Sequence, residues 1–101
     1  MVLTLTKRWV TILREVGTIR VDGVRFRVYA GDHDGSSVAH VHAMFDRGEV
    51  VIELFRDGTV GLSRAHRDAV VGSVKRSDIR KALDAAESGY LRLLAEWEEM
   101  H

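Results

Sequence analysis

The spacing of the hydrophobic residues changes once along this chain, and that change constrains the fold more than any other feature. On both sides of Asp22-Gly23, apolar and polar residues alternate one by one, which is typical of β-strands with one buried face. Asp-Gly is a preferred two-residue hairpin turn because both positions tolerate a positive φ. From Ser77 onward, apolar residues recur at steps of three and four, as in an amphipathic helix. The sequence therefore predicts strands first and a helix last.

Turn signals divide the middle of the chain into further strands. Gly31 to Ser37 is rich in Gly, Asp and Ser and is predicted as a loop. Turns are predicted at Asp46 to Glu49 and at Arg56 to Gly58. Three strands are predicted around these turns: Val38 to Phe45, Val50 to Phe55 and Thr59 to Ser63. In this register Phe45 pairs with Val50, which keeps apolar residues opposite apolar ones.

The C-terminal third is predicted as one helix from Ser77 to about Met100, with Ser77 as its N-cap. Gly89 lies inside this helix and costs about 1 kcal/mol relative to alanine, so it indicates a close approach or a bend. Met1 to Val16 fits either a helix face or a short strand.

The predicted fold class is α+β: an antiparallel β-meander of about five strands packed against a long C-terminal helix. Residues 1–101 are expected to form a single domain, because the chain is too short for a second core. One core is expected to hold Val41, Ile52, Leu54, Leu83 and Trp97.

Composition excludes several classes of protein. The chain has no cysteine, which excludes a disulfide framework, a zinc site with Cys ligands and a thiol nucleophile. Lys and Arg number 15 and so do Asp and Glu, so the net basic charge typical of nucleic-acid-binding proteins is absent. No apolar run approaches membrane-spanning length, and the first residues mix charged with apolar groups. We therefore expect a cytoplasmic protein that does not contact a membrane.

Three of the five histidines lie within residues 32–42, DHDGSSVAHVH. Because alternate residues of a strand share a face, His40 and His42 are expected to project together, opposite the more apolar face of Val41. The predicted register also places Glu53 beside His42. The sequence thus predicts a local cluster of imidazoles with a nearby carboxylate.

This cluster is compatible with a metal site. His33, His40 and His42 supply three imidazoles, which can converge on one divalent ion, with zinc the most plausible choice. A carboxylate from Asp32, Asp34 or Glu53 can add a ligand or hydrogen-bond the second ring nitrogen of a histidine.

Two other interpretations of the same residues remain open. Without a metal, the histidines can perform general acid–base chemistry, with Asp32 or Glu53 as the assisting carboxylate. In the simplest alternative they are solvent-exposed side chains on a polar sheet face.

A row of arginines belongs to the polar face of the first hairpin. Arg20, Arg25 and Arg27 share this face, and the Asp22-Gly23 turn places Arg20 opposite Arg25. Like charges opposed across two strands suggest an anionic partner such as phosphate. A solvated face is the alternative, and the neutral net charge favours it.

Two segments resemble a known bacterial family. The run from Phe26 to Phe45, FRVYAGDHDGSSVAHVHAMF, and the later Leu93 to Trp97, LLAEW, are similar to domain of unknown function 4160. The resemblance covers roughly residues 17–100, and the family motif falls on Asp32, His33, His40 and His42. The family has a short loop with proline before His-x-His, whereas this chain has six residues, DGSSVA, without proline.

The resemblance implies a component of a two-gene module of the suspected toxin–antitoxin type. Two functions follow. In the first, the chain is a metal-dependent hydrolase, such as an RNA-cutting toxin, with His33, His40 and His42 as ligands and Asp32 or Glu53 as base. In the second, it is a non-catalytic module whose histidine face is a structural metal clip or an interaction surface. The expected partner is a second small protein or another copy of the chain, with RNA less well supported.

Overall fold

The computed structural model describes residues 16–29, 38–64 and 68–100. The predicted loop from Gly31 to Ser37, with Asp32 and His33, lies outside the described residues, as do residues 1–15. Within the described ranges the elements are β1 (Val16–Val21), β2 (Val24–Tyr29), β3 (His40–Phe45), β4 (Gly48–Leu54), β5 (Val60–Leu62), β6 (Val70–Gly72), α1 (Arg76–Ser88) and α2 (Tyr90–Met100). The α+β class is confirmed.

The strands form one antiparallel sheet in the order β1-β2-β3-β4-β5. The first hairpin turns at Asp22 and Gly23, whose φ angles are 49° and 79°. Arg20 therefore pairs with Arg25, as predicted. β5 pairs with the second half of β4, and β6 pairs with the first half. β6 was not predicted, because its three residues are too few to show a period and, unlike β5, it does not follow a glycine turn.

The register between β3 and β4 corrects the prediction. The turn contains two residues, Asp46 and Arg47, so Phe45 pairs with Gly48 and not with Val50. A Cβ atom at Gly48 would overlap the carbonyl oxygen of Val71 in β6. Gly48 is therefore a strand residue, and glycine is required there because β6 approaches so closely. In the sequence the same glycine had suggested a turn. The shift is two residues, so the residues predicted to face the core still do.

Two helices replace the single long helix. α1 ends at Ser88 and α2 begins at Tyr90, with Gly89 between them. A Cβ atom on Gly89 would lie 2.7 Å from Cγ2 of Val21, so the glycine permits close packing of the helix junction on β1. The predicted N-cap is also wrong, since Lys75 occupies that position and makes no side-chain capping hydrogen bond.

The core lies between the helices and one face of the sheet. Phe26, Val41 and Ile52 from the strands are fully buried in it. Three alanines of α1, Ala82, Ala85 and Ala86, also belong to the buried core, and such small side chains allow a helix to approach a sheet closely. The predicted core is confirmed: Val41, Ile52, Leu54 and Trp97 are buried, and Leu83 packs against them. In the described ranges, neither helix is long and apolar enough to cross a membrane.

Trp97→Ala should destabilise the protein by about 3–5 kcal/mol, because it removes a large ring from the core. Leu91→Ala is the matched control, since Leu91 lies on the same helix and is 78% exposed. It should change stability by less than about 0.5 kcal/mol. Urea unfolding measures both effects, and similar values for the two variants would contradict the packing of α2.

Candidate functional site

Polar residues occupy neighbouring positions on β2, β3 and β4. Arg27 of β2 pairs directly with His42 of β3, and His40 pairs directly with Glu53 of β4. Directly paired residues of antiparallel strands project to the same face, here the one opposite Val41. The sheet therefore carries arginine, histidine and glutamate side by side on three adjacent strands.

The His40 ring is buried and held in a defined orientation. Its residue is only 1% exposed, and its Nδ1 lies 2.9 Å from the carbonyl oxygen of Val38. Because a carbonyl oxygen only accepts, Nδ1 donates, and Nε2 is the nitrogen with a lone pair. The ring also contacts the Trp97 ring of α2, with 4.7 Å between centroids, so His40 touches the core as well as the polar cluster. A backbone carbonyl holding one ring nitrogen is the usual environment of a metal-binding or basic histidine.

The His42 ring lies beside that of His40, with 5.6 Å between centroids. Its Nδ1 is 3.5 Å from Oε1 of Glu49. Tyr29 meets the His42 ring edge-on, with 4.8 Å between centroids and an interplanar angle of 90°. Glu49 and Tyr29 were not predicted as members of the site. If the turn had been predicted as two residues long, Glu49 would have been placed in β4. It would then have been recognised as the diagonal neighbour of His42.

Glu53 lies opposite His40, and the prediction that it lies beside His42 is wrong by two residues of register. The N–H of Leu54 donates to the carbonyl of Ala39 at 2.9 Å. The adjacent pair of His40 and Glu53 is consequently a non-hydrogen-bonded pair, in which side chains lie closest. Glu53 is buried, and its Oε1 accepts hydrogen bonds from the hydroxyl of Ser63 at 3.2 Å and from the N–H of Arg64 at 2.7 Å.

The burial of this cluster corrects one of the interpretations left open by the sequence. His40, His42 and Glu53 are all buried, so the histidines are not solvent-exposed side chains on a polar face. Burying polar groups is costly unless they are hydrogen-bonded or bind a ligand. The contacts of these residues with Val38, Glu49, Ser63 and Arg64 offset part of that cost.

The donor set for a metal contains two described imidazoles. The Nδ1 of His40 donates to the Val38 carbonyl, so Nε2 is the nitrogen of that ring suited to ligate an ion, whereas the Nδ1 of His42 lies 3.5 Å from Glu49. The part of the chain that the structure describes contains no group of three or more His, Asp or Glu residues placed to hold a metal. Asp32 and His33 lie outside the described residues, so convergence of three histidines on one ion stays a prediction.

The arginine row lies beside the histidines on the same face. Arg20 and Arg25 are exposed, and Arg27 is half-buried. None of the three makes an ion pair or a side-chain hydrogen bond with residues in the described ranges. Since Arg27 is the direct partner of His42, the row ends at the imidazole cluster. Unpaired guanidinium groups in such a row are suited to bind phosphate.

The fold and the site define a small α+β protein with a His-x-His strand between a cationic and an acidic strand. The chain belongs to the family described as Domain of unknown function (DUF4160), whose model matches residues 23–98. The match includes β2 to β6, the whole of α1 and most of α2. No curated protein and no solved structure matches the chain.

Glu53→Ala should destabilise the protein by about 2–3 kcal/mol, because the Ser63 hydroxyl and the Arg64 N–H lose their acceptor. Glu53→Gln retains a carbonyl oxygen that can accept both hydrogen bonds, so its cost should be near 1 kcal/mol. Denaturant unfolding of both variants measures the difference, with exposed Glu87→Ala as a control. Equal costs for the alanine and glutamine variants would show that these hydrogen bonds do not stabilise the site.

Proposed function

We propose that this chain is a small RNA-directed hydrolase, the toxin-like component of a two-gene toxin–antitoxin module. The observation that supports this proposal is the direct pairing of Arg27 with His42 on one sheet face. A phosphate held by the arginine row would lie next to the His42 imidazole, whose Nδ1 is 3.5 Å from Glu49. Phosphate binding beside an oriented general base is the minimum that RNA cleavage requires.

Each residue has a specific role in this proposal. Arg20, Arg25 and Arg27 hold successive phosphates of a single strand. His42 removes the proton from a ribose 2′-hydroxyl, whose oxygen attacks the adjacent phosphorus. The bond from phosphorus to the 5′-oxygen breaks, and a His40 ring that enters the reaction as an imidazolium donates from Nε2 the proton that the leaving oxygen takes up. The resulting 2′,3′-cyclic phosphate is then hydrolysed by water. Glu49 orients His42.

The metal-dependent form of the proposal uses the same imidazoles. His33, His40 and His42 would hold one divalent ion, most plausibly zinc, and Asp32 or Glu53 would act as base or support a ligand. The ion would polarise the phosphate and lower the pKa of a bound water. Sensitivity of cleavage to a chelator distinguishes this route from the metal-free one.

Purified protein should cleave a short mixed-sequence single-stranded RNA, and His42→Ala should lower the rate by about 10²–10⁴-fold, the usual contribution of a general acid or base. Replacing Arg20, Arg25 and Arg27 together by alanine should weaken RNA binding. It should also reduce the slope of log affinity against log salt concentration by about 2, since each phosphate contact on a single strand contributes about 0.7 to that slope.

Arg80→Ala is the matched control for these arginines, because it removes one exposed positive charge from α1, away from the sheet face. It should leave both the cleavage rate and the salt dependence near the wild-type values. Absence of RNA cleavage by the wild-type protein, or an equal loss in the control, would refute the proposed hydrolase.

A second candidate is a non-catalytic protein-binding module with a structural metal clip. The burial of His40 and His42, which are 1% and 7% exposed, favours it, because structural zinc sites are closed to solvent. In this candidate His33 completes the three imidazoles and Asp32 or Glu53 supplies the fourth ligand. Zinc then stabilises the fold and leaves the surface free to bind a second protein.

Zinc titrated into metal-free protein should bind with one-to-one stoichiometry and raise the melting temperature. The double variant His40→Ala/His42→Ala should lose both effects, and His33→Ala should weaken them, whereas His66→Ala, outside the motif, is the control. Affinity should fall as the pH is lowered, because ligand imidazoles must be neutral. Equal binding by wild type and double variant, or no binding by either, would refute the metal site in both candidates and leave the acid–base route alone.

A further inference from the structure

β1 forms an edge of the described sheet and has no described strand on its outer side. Its inner side pairs with β2 at every position, from Val16 opposite Tyr29 to Val21 opposite Val24. The outward-pointing N–H and C=O groups of β1 therefore lie where another strand can pair with them. The opposite edge differs, since it consists of two three-residue strands, β5 and β6.

The edge formed by β1 lacks the features that normally prevent strand addition. It contains six residues, VGTIRV, with one charged side chain, that of Arg20. The pairing with β2 is regular, without a bulge, and the whole chain contains no proline. Protected edges usually carry a proline, a bulge or several charges, or are very short. β1 therefore has the properties of a docking edge.

The two faces of β1 specify the chemistry of an added strand. On one face, Val21 is buried and Ile19 is half-buried against the core. The side chains that an added strand places on this face should therefore be apolar. On the other face Arg20 is exposed and lies opposite Arg25, also exposed. Opposite charges on neighbouring strands stabilise a sheet and like charges destabilise it. An added strand with carboxylates on this face would therefore be stabilised.

We propose that β1 binds an extended segment of a second protein in which acidic residues alternate with apolar ones. Backbone hydrogen bonds to the edge supply affinity, and the alternating side chains supply specificity. A second copy of this chain is a poorer occupant, because pairing β1 with β1 would add another Arg20 to a face that already holds three arginines.

Strand addition would also affect the arginine row. Arg20 belongs both to this edge and to the surface proposed to bind RNA, and Arg25 is its direct partner on β2. An acidic strand on β1 would neutralise Arg20, its direct neighbour, and compete with RNA for that side chain, as an antitoxin would. Only this consequence rests on the proposed function, since the pairing itself depends on the edge and its charge.

Two synthetic peptides test the pairing, one alternating valine with glutamate and one alternating valine with lysine. In an NMR titration of the full chain, the glutamate peptide should shift the amide signals of residues 17–21 and slow their hydrogen exchange. It should bind roughly five- to tenfold more tightly than the lysine peptide, because Arg20 attracts the carboxylate of one peptide and repels the ammonium of the other. Arg20→Glu should reverse this preference, and Arg80→Glu, on α1, should leave it unchanged.

Three results would overturn the proposal: no change at β1 with either peptide, equal affinity for both peptides, or protection of β1 that rises with protein concentration in the absence of peptide. The last result would identify a second copy of the chain as the occupant. Because these measurements contain no RNA, a failure of the proposed hydrolase would leave them unaffected.

Discussion

The two-residue turn between β3 and β4 is the constraint on which the arrangement of the polar site depends. With Asp46 and Arg47 as the turn, His40 lies opposite Glu53 and Nδ1 of His42 lies 3.5 Å from Glu49. A turn longer by two residues would remove Glu49 from the strand and move Glu53 next to His42. Which carboxylate lies next to each imidazole is thus decided by a single turn.

β6 accounts for why this short turn is stable. Its backbone approaches Gly48 so closely that any side chain at that position would overlap the Val71 carbonyl. Gly48 is held in the strand by pairing with Gly72. β4 consequently has a strand on both sides, and its residues from Val50 to Leu54 are all buried. An apolar core on one face and a polar cluster on the other are fixed by the same strand, so a change in either is expected to disturb both.

Strand alternation and helix periodicity predicted which side chains share a face. A shift of two residues in the register of paired strands leaves every side chain on the same face. For that reason the sequence alone predicted the core of Val41, Ile52 and Trp97 and the projection of His40 and His42 from one face. The register, the short β6 and the helix break at Gly89 were not. Each depends on a close approach between distant segments, as between Gly89 and Val21, and sequence periodicity contains no record of such contacts.

The candidate site was predicted only in outline. His40, His42 and Glu53 do lie near one another, but Glu49 and Tyr29 were missed, and the burial of the cluster was not expected. Arg27 was predicted to lie on a polar face, but its pairing with His42 was not predicted. That pairing depends on how β2 pairs with β3, and a loop separates these two strands in the sequence. Asp32 and His33 lie outside the described residues, so their part in the site rests on the sequence motif.

Cross-strand Hα–Hα nuclear Overhauser effects test the register of β3 against β4 most directly. Non-hydrogen-bonded pairs in an antiparallel sheet bring their Cα atoms to about 4.5 Å, which gives strong effects between the two Hα atoms. The structure places His40 with Glu53 and His42 with Val51 in such pairs, so strong effects are expected for both. A strong effect between His42 and Glu53 instead would establish the register with the longer turn and contradict the arrangement of the site.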